Sequence, residues 1–479
     1  MKKILFLMLG LLVTFTTKAQ SYSVLNSASG ELVKFETIYD EENDIFGYVE
    51  LRKLDLINEL TENYKYVILD KNMNSICSGE FTETLFKKKC YKKLTQVVFC
   101  DSKLLFVFRQ TLESSNALNN SYQILDIKQN KIISNGIFIS NTNDSKNENK
   151  LNKAYHPKYF RALSKIGFIS RIEDGSVYSA IGFDAVSLWI QPIKVVDEKE
   201  KYEYSYYSSN EKFTIINVTK KLKDKKISDH ALILDTKTGK EIAFLKISDD
   251  DYTTIYYTIK IIKEEVITVG KYYEKDKRDE VDYKESLGLY RQIIDIKSGK
   301  ITNKDFLPYG KFGNLDISEN GKIKKEGYMS FQEIDINPDG SYFVLAETYF
   351  PKAKIDIFSS VYVFQLNKDF VPIKVTNYDT ENARGSKYSF SQKLIGDKGK
   401  AFFFYDKDED KKIELNILTL NYATGVILQS KMPITNEKTA IKVERAKIGY
   451  VALIEYFKDS KKDGKAVEIR LEKINNERQ

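Results

Sequence analysis

The sequence predicts an all-β protein, and three observations predict it. Apolar residues fall in short segments that alternate or run continuously and are rich in Val, Ile, Tyr and Phe, the pattern of strands rather than helices. Clusters of Asn, Asp, Gly and Lys, which are turn formers, separate these segments. One strand-turn-strand unit also recurs along the chain.

The unit is an apolar strand ending in an acid or amide, a tight turn, and a second strand. It runs Tyr66 to Asp70 with the turn Lys71 to Asn74, and returns as Tyr122 to Asp126 with Lys128 to Lys131. The sharpest copies are Leu232 to Asp235 with Thr238-Gly239-Lys240, and Gln292 to Asp295 with Ser298-Gly299-Lys300. Looser copies run Val363 to Asn367, and Leu418 to Asn421 with Thr424-Gly425. In each, the Asp or Asn accepts hydrogen bonds from turn amides, and Gly239, Gly299 and Gly425 supply positive φ. Each copy is then expected to be the outer hairpin of a four-stranded antiparallel blade, and blades repeated along a chain make a β-propeller.

Two further strands lie between the hairpins, as a blade requires. Examples are Gln96 to Cys100 with Leu104 to Phe108, Ile255 to Ile262 with Val266 to Tyr273, and Phe331 to Ile336 with Ser341 to Thr348. The turn Asn337-Pro338-Asp339-Gly340 joins the last pair. An irregular set from Ile166 to Ile193 forms a further blade or an insertion, so the count is eight or seven, with eight favoured. The C-terminal stretch offers three strands, Ile441 to Glu444, Tyr450 to Tyr456 and Ala466 to Leu471, and Tyr22 to Leu25 would supply the fourth and close the ring, removing exposed edges. Asn141 to Asn152, Tyr273 to Glu285 and Pro308 to Lys325 read as exposed excursions.

The hairpin Ile233 to Glu241 resembles the strand-and-turn signature of quinoprotein-like propellers. The tryptophan that follows in those repeats is missing, Trp189 being the only one in the chain, so the resemblance implies the fold and not quinone binding. More broadly, the pair Ala19-Gln20, the span Tyr328 to Glu347 and the Tyr- and Lys-rich strands are similar to secreted families of unknown function from one large group of Gram-negative bacteria. That resemblance implies compartment and fold.

The first nineteen residues read as a secretory signal peptide: Lys2 and Lys3, an apolar run from Ile4 to Val13, then a polar stretch ending at Ala19. Cleavage is expected after Ala19, leaving residues 20–479 as a single propeller domain in the periplasm or at the cell surface. No cysteine stands at the cleavage point to carry a lipid anchor, and the later apolar runs, such as Leu104 to Phe108 and Ala401 to Tyr405, are strand-sized. The formal charge of +7 falls further with the loss of Lys2, Lys3 and Lys18, a balance that implies no general affinity for nucleic acid. The basic run Lys220 to Lys226 is interrupted by Asp224 and reads as a solvated loop.

Cys77, Cys90 and Cys100 lie close together in sequence. An odd number allows at most one intramolecular bridge, and the pairing is open without Cα distances. His156 and His230 have no cysteine or acidic partner in a zinc spacing, and no Gly-rich phosphate loop leads from a strand into a helix.

Three groups are candidate sites. Asp406, Asp408, Asp410 and Glu414 resemble the alternate carboxylates of a calcium loop, although Lys411 stands where such loops want glycine and Lys407 and Lys412 offset the charge; otherwise this is a charged hairpin tip. Strand alternation puts Glu333 and Asp335 on one face and Gln332 on the other, and a facing acid pair would suit glycoside hydrolysis. Tyr204 and Tyr206, with Tyr202, Tyr207, Tyr252, Tyr256 and Tyr257, would offer stacking faces to a ligand if they point outward. The function expected from these features is a binding or scaffolding propeller for a protein or glycan partner, without a cofactor; the alternative is a carbohydrate-active enzyme with carboxylates at the channel mouth.

Overall fold

The computed structural model describes residues 21–22, 30–40, 44–85, 90–112, 115–137, 158–162, 165–172, 175–182, 187–194, 201–221, 227–275, 286–313, 315–394, 398–407, 410, 412–434, 439–457 and 466–474. The expected signal peptide, the excursion Asn141 to Asn152, His156, Asp408 and most of the charged stretch after Tyr273 lie outside the described residues.

Among the described residues the chain is a succession of eight antiparallel sheets. The first contains Glu31–Tyr39, Ile45–Asn58, Thr61–Asp70 and Ser75–Thr84. The second contains Cys90–Cys100, Lys103–Leu112, Ser115–Asp126 and Lys131–Ile137, and the third Lys158–Ala162, Lys165–Ile172, Gly175–Gly182 and Ser187–Lys194. The fourth runs Lys201–Ser209, Phe213–Lys221, Ile227–Asp235 and Glu241–Lys246, and the fifth Thr253–Ile262, Glu265–Tyr273, Gly288–Asp295 and Ile301–Pro308. The sixth is built on Gly327–Ile336, Tyr342–Phe350, Ile357–Leu366 and Pro372–Tyr378, with the short strands Lys322–Ile323 and Ala383–Arg384 added. The seventh holds Tyr388–Lys393, Gly399–Lys407, Ile413–Asn421 and Ile427–Pro433. In the eighth, Thr439–Arg445, Tyr450–Phe457 and Ala466–Lys473 are joined by Ser21–Tyr22, which pairs with Arg470 and Ile469.

The recurrent hairpin is the third and fourth strand of its sheet, and its turn chemistry is local. Asp235 Oδ1 accepts from Thr238 N at 2.7 Å, and Asp295 Oδ1 from Ser298 N at 2.7 Å. Asp70, Asn367 and Asn421 do the same for Asn72, Asp369 and Ala423. Gly239 and Gly299 take φ of 71° and 65°; where the unit lacks glycine, Met73, Asn130 and Phe370 adopt positive φ instead.

Burial separates middle strands from outer ones. Glu265–Tyr273 and Tyr342–Phe350 are buried along almost their whole length, whereas Ile427–Pro433 is largely exposed. A middle strand has a neighbouring sheet on each face, so it needs apolar residues at consecutive positions instead of alternation. The apolar clusters accordingly lie in the seams between sheets: Ile68, Phe81 and Phe106 join the first and second, Phe343, Val363 and Phe402 the sixth and seventh, and Tyr48, Leu69, Ile454 and Ile469 the first and eighth. The leading strands of the first and second, second and third, third and fourth, fifth and sixth, and seventh and eighth sheets touch. Four-stranded meanders stacked face to face with their first strands together are the architecture of a β-propeller.

The stretch Pro308 to Lys325 corrects the expectation of an exposed excursion in part: its lysines and acids are exposed, but its two aromatic residues anchor it in the core. Tyr309 opens a single 3₁₀ turn, Tyr309–Lys311, Phe312 follows it, and both are fully buried. Residues three apart share one side of such a turn, so both rings enter the core formed with Phe331 and Phe364. No helix among the described residues is long and apolar enough to cross a membrane.

Candidate functional site

Glu333 and Asp335 do share a face, but that face is turned into the seam with the seventh sheet. Lys400 Nζ sits 2.5 Å from Glu333 Oε1 and 3.0 Å from Asp335 Oδ2. Tyr388 OH and Ser391 Oγ also donate to Glu333, and Tyr422 OH donates to Asp335 at 3.4 Å. Burial pulls the Lys400 ammonium down, but the two carboxylates more than offset it and hold its pKa above the ordinary value. The arrangement is an ion-paired lock between sheets, with the carboxylate oxygens occupied by protein donors. Gln332 interrupts the alternation because the register shifts between Phe331 and Glu333, making it the extra residue of a bulge; its amide donates to Ser330 Oγ at 3.3 Å.

Asp406 lies within a strand, opposite Glu414 in the register. Both are buried. Asp406 Oδ1 accepts from Glu381 N at 3.0 Å and Glu414 Oε1 pairs with Lys431 at 2.6 Å. Burial, with Glu414 adding to it, raises the Asp406 carboxyl above its usual range. Asp410 stands at the exposed tip, 3.2 Å from Lys412 Nζ. Among the described residues, no group of three or more His, Cys, Asp and Glu side chains could hold a metal ion. Asp406 instead belongs to a polar network with Glu347, whose oxygens accept from Ser386 Oγ and Lys387 N, while Lys387 Nζ donates to Ser359 O. Burial drives Glu347 up and Lys387 down.

Tyr204 and Tyr206 are half-buried and pack with Tyr202 against Ile216, Val218, Leu232 and Leu234 on a face of the fourth sheet. Tyr204 stacks on Tyr202 at 6.2 Å, and burial pushes its hydroxyl up to about 12. Tyr207 and Tyr256 lie in the seam between the fourth and fifth sheets and Tyr257 in the next, while Tyr252 stays partly exposed beside Phe306. His230 stacks on Phe244 at 4.7 Å, and burial holds its imidazole below the ordinary pKa. No disulfide joins Cys77 to Cys100; burial pushes Cys77 up to about 11. The side chains of Cys90 and Trp189 lie outside the described residues.

The feature that sequence reasoning missed is a cavity of about 820 Å³ where the leading strands of the first, seventh and eighth sheets meet. Glu31–Tyr39 contributes Lys34, Glu36 and Tyr39, Tyr388–Lys393 contributes Phe390, and Thr439–Arg445 contributes Lys442, Glu444 and Arg445. Tyr405 and Tyr456 reach in from the strands behind. Thr37 Oγ1 donates to Arg445 O at 2.9 Å and ties two of the walls together. Lys34 Nζ lies 2.8 Å from Glu36 Oε2, an ion pair whose angle falls outside hydrogen-bond geometry, and Lys442 pairs with Glu444 in the same i, i+2 manner. Arg445 lies 5.8 Å over the Phe390 ring and hydrogen-bonds Tyr39. Burial raises the Tyr39 hydroxyl even though Arg445 lowers it. This arrangement can hold a polar ligand with flat apolar faces.

A family profile described as a family of unknown function, DUF6770, matches residues 1–377, most of the chain. The chain belongs to the DUF6770 family. No curated protein matches the sequence. Among solved structures, this DUF6770 chain is similar to the β-propeller domain of the Trilobed protease from Pyrococcus furiosus, at 13% identity over 81% of this chain and 96% of that one, with a TM-score of 0.39. It is also similar to a europium-containing methanol dehydrogenase, at 9% identity over 95% and 94% of the two chains and a TM-score of 0.43. Against a prolyl endopeptidase the identity is 9% and the TM-score 0.39, with 87% of this chain covering 54% of the other. Each likeness is one of fold.

Proposed function

We propose that this DUF6770 protein is an exported binding module, a ring of eight blades closed by Ser21–Tyr22 on the last sheet, that takes a ligand into the cavity between its first, seventh and eighth sheets. The observation that carries this reading is the lining of that cavity. Aromatic rings make the walls and the acids are neutralised by lysines two residues away, a composition suited to holding a polar ligand. Catalysis by a carboxylate pair has less support. Hydrolysis of a glycosidic bond needs one carboxyl group protonated and a second free to act, whereas Glu333 and Asp335 clamp Lys400 and Glu36 and Glu444 each hold a lysine.

The charged start, short apolar run and Ala19 support export. The intact mass of protein recovered from a periplasmic fraction should correspond to a chain beginning at Gln20. A glycan array beside a pull-down from the same fraction tests the binding reading: retained ligand without released product is expected, and turnover of a bound glycan would replace binding with catalysis.

A further inference from the structure

We propose that the ligand of this cavity is an acidic oligosaccharide, and that Arg445 recognises a uronic-acid carboxylate; this rests on the binding reading above. Charge pairing inside the cavity singles out Arg445. Lys34 is matched by Glu36 and Lys442 by Glu444, which leaves the guanidinium as the cation without a carboxylate partner among the described residues. Its partners are the Tyr39 hydroxyl and the Phe390 ring. A guanidinium has five N–H donors in a planar fork, and Tyr39 takes a small part of that capacity. The remaining edge matches a carboxylate through two parallel hydrogen bonds. Phe390 beneath it fixes the plane of the fork by cation–π contact.

The rest of the cavity selects the class of molecule that carries the carboxylate. Its 820 Å³ falls in the range of small-ligand sites, and it is a concave site, unlike the broad surfaces of about 800 Å² per partner that proteins bury against each other. Tyr39, Tyr405 and Tyr456 add rings with apolar faces and polar tips to the wall, suited to a sugar, which has flat C–H faces and hydroxyl edges. An acidic sugar satisfies both the fork and the rings.

The test uses a matched pair of disaccharides, one ending in glucuronate and the other in glucose, titrated calorimetrically into the full mature chain. The wild type is expected to bind the glucuronate form about tenfold or more tightly, the difference a charge-assisted hydrogen bond makes. Arg445→Ala and Arg445→Gln should abolish that preference while leaving the weaker neutral binding in place. Thermal unfolding of both variants checks that they are folded, and the Gln variant keeps a planar polar group should the Ala variant lose stability. Equal wild-type affinity for the two sugars, or a preference that survives both substitutions, overturns the carboxylate assignment while the cavity reading stands. Failure of either sugar to bind, together with an empty glycan array, overturns both. Binding of a glutamate-rich peptide in place of the sugars would overturn the saccharide assignment and keep Arg445.

Discussion

Lys92 Nζ lies 3.0 Å from Glu83 Oε2 in the seam between the first and second sheets, with side chains only 1% and 3% exposed. Glu62 Oε2 stands 3.8 Å from the same nitrogen, and Ser121 and Gln123 donate to Glu83 from across the seam. A charged pair so far from water persists because each remaining oxygen has a donor. Substitution Lys92→Met leaves the buried Glu83 carboxylate without its cation, while Glu62 keeps Lys53, and should lower stability by about 3–5 kcal/mol, whereas replacing Lys92 and Glu83 together by apolar residues of similar volume should cost far less. Thermal unfolding of both variants distinguishes the two; equal losses would mean that the pair acts through packing alone.

Lys271 gives the seam between the fifth and sixth sheets a pH dependence. Its Nζ donates to Met329 O at 2.9 Å and lies 5.2 Å from the Phe331 ring, and burial pulls its pKa from 10.5 to about 7. Since the folded value lies below the unfolded one, the unfolded chain binds the extra proton between those limits, and this group makes stability rise with pH from about 7 to 10.5. Below about pH 7 the penalty is present in full. Lys271→Met should therefore raise the melting temperature most near pH 6, by an amount worth on the order of a few kcal/mol, and the gain should shrink at alkaline pH. A gain independent of pH would contradict this account.

Gly270 faces a bulge between Tyr256 and Thr258. A Cβ there would stand 2.1 Å from Ile255 O and 2.5 Å from Tyr256 Cα, both backbone atoms that cannot swing aside. Gly270→Ala should cost about 3 kcal/mol, while Gly310→Ala, whose Cβ meets nothing within 4 Å, should stay within about 0.5 kcal/mol. Chemical denaturation of the two variants side by side makes the comparison.

Chelation should leave the melting temperature unchanged. Asp410 is taken by Lys412 and Glu414 by Lys431, and Asp406 accepts from Glu381 N, so these three carboxylates already have partners. A rise of several degrees on adding millimolar calcium, lost in Asp408→Asn, would instead make the hairpin a cation site.

What was legible in the sequence is what its physics keeps local. Asp235 and Asp295 bond amides three residues on, so their hairpins can be read from a few consecutive residues. Lys271 was invisible because a middle strand buries both faces and a lysine there has no sequence signature of burial. The bulge at Gln332 shifts the register without any glycine or proline to mark it. In Pro308 to Lys325 the glycines and lysines outweighed Tyr309 and Phe312, whose spacing across one turn was the available signal. The cavity was out of reach for a different reason: Thr37 and Arg445 are 408 residues apart, and only the packing of the first sheet against the eighth brings Lys34, Phe390 and Arg445 around one space.

Hydrogen–deuterium exchange on the mature chain, with and without the strongest ligand from the glycan array, tests the cavity most directly. Slowed exchange should concentrate in Glu31–Tyr39, Tyr388–Lys393 and Thr439–Arg445, the strands that wall the cavity. Protection confined to the outer hairpin turns, such as those after Asp235 and Asp295, would contradict it.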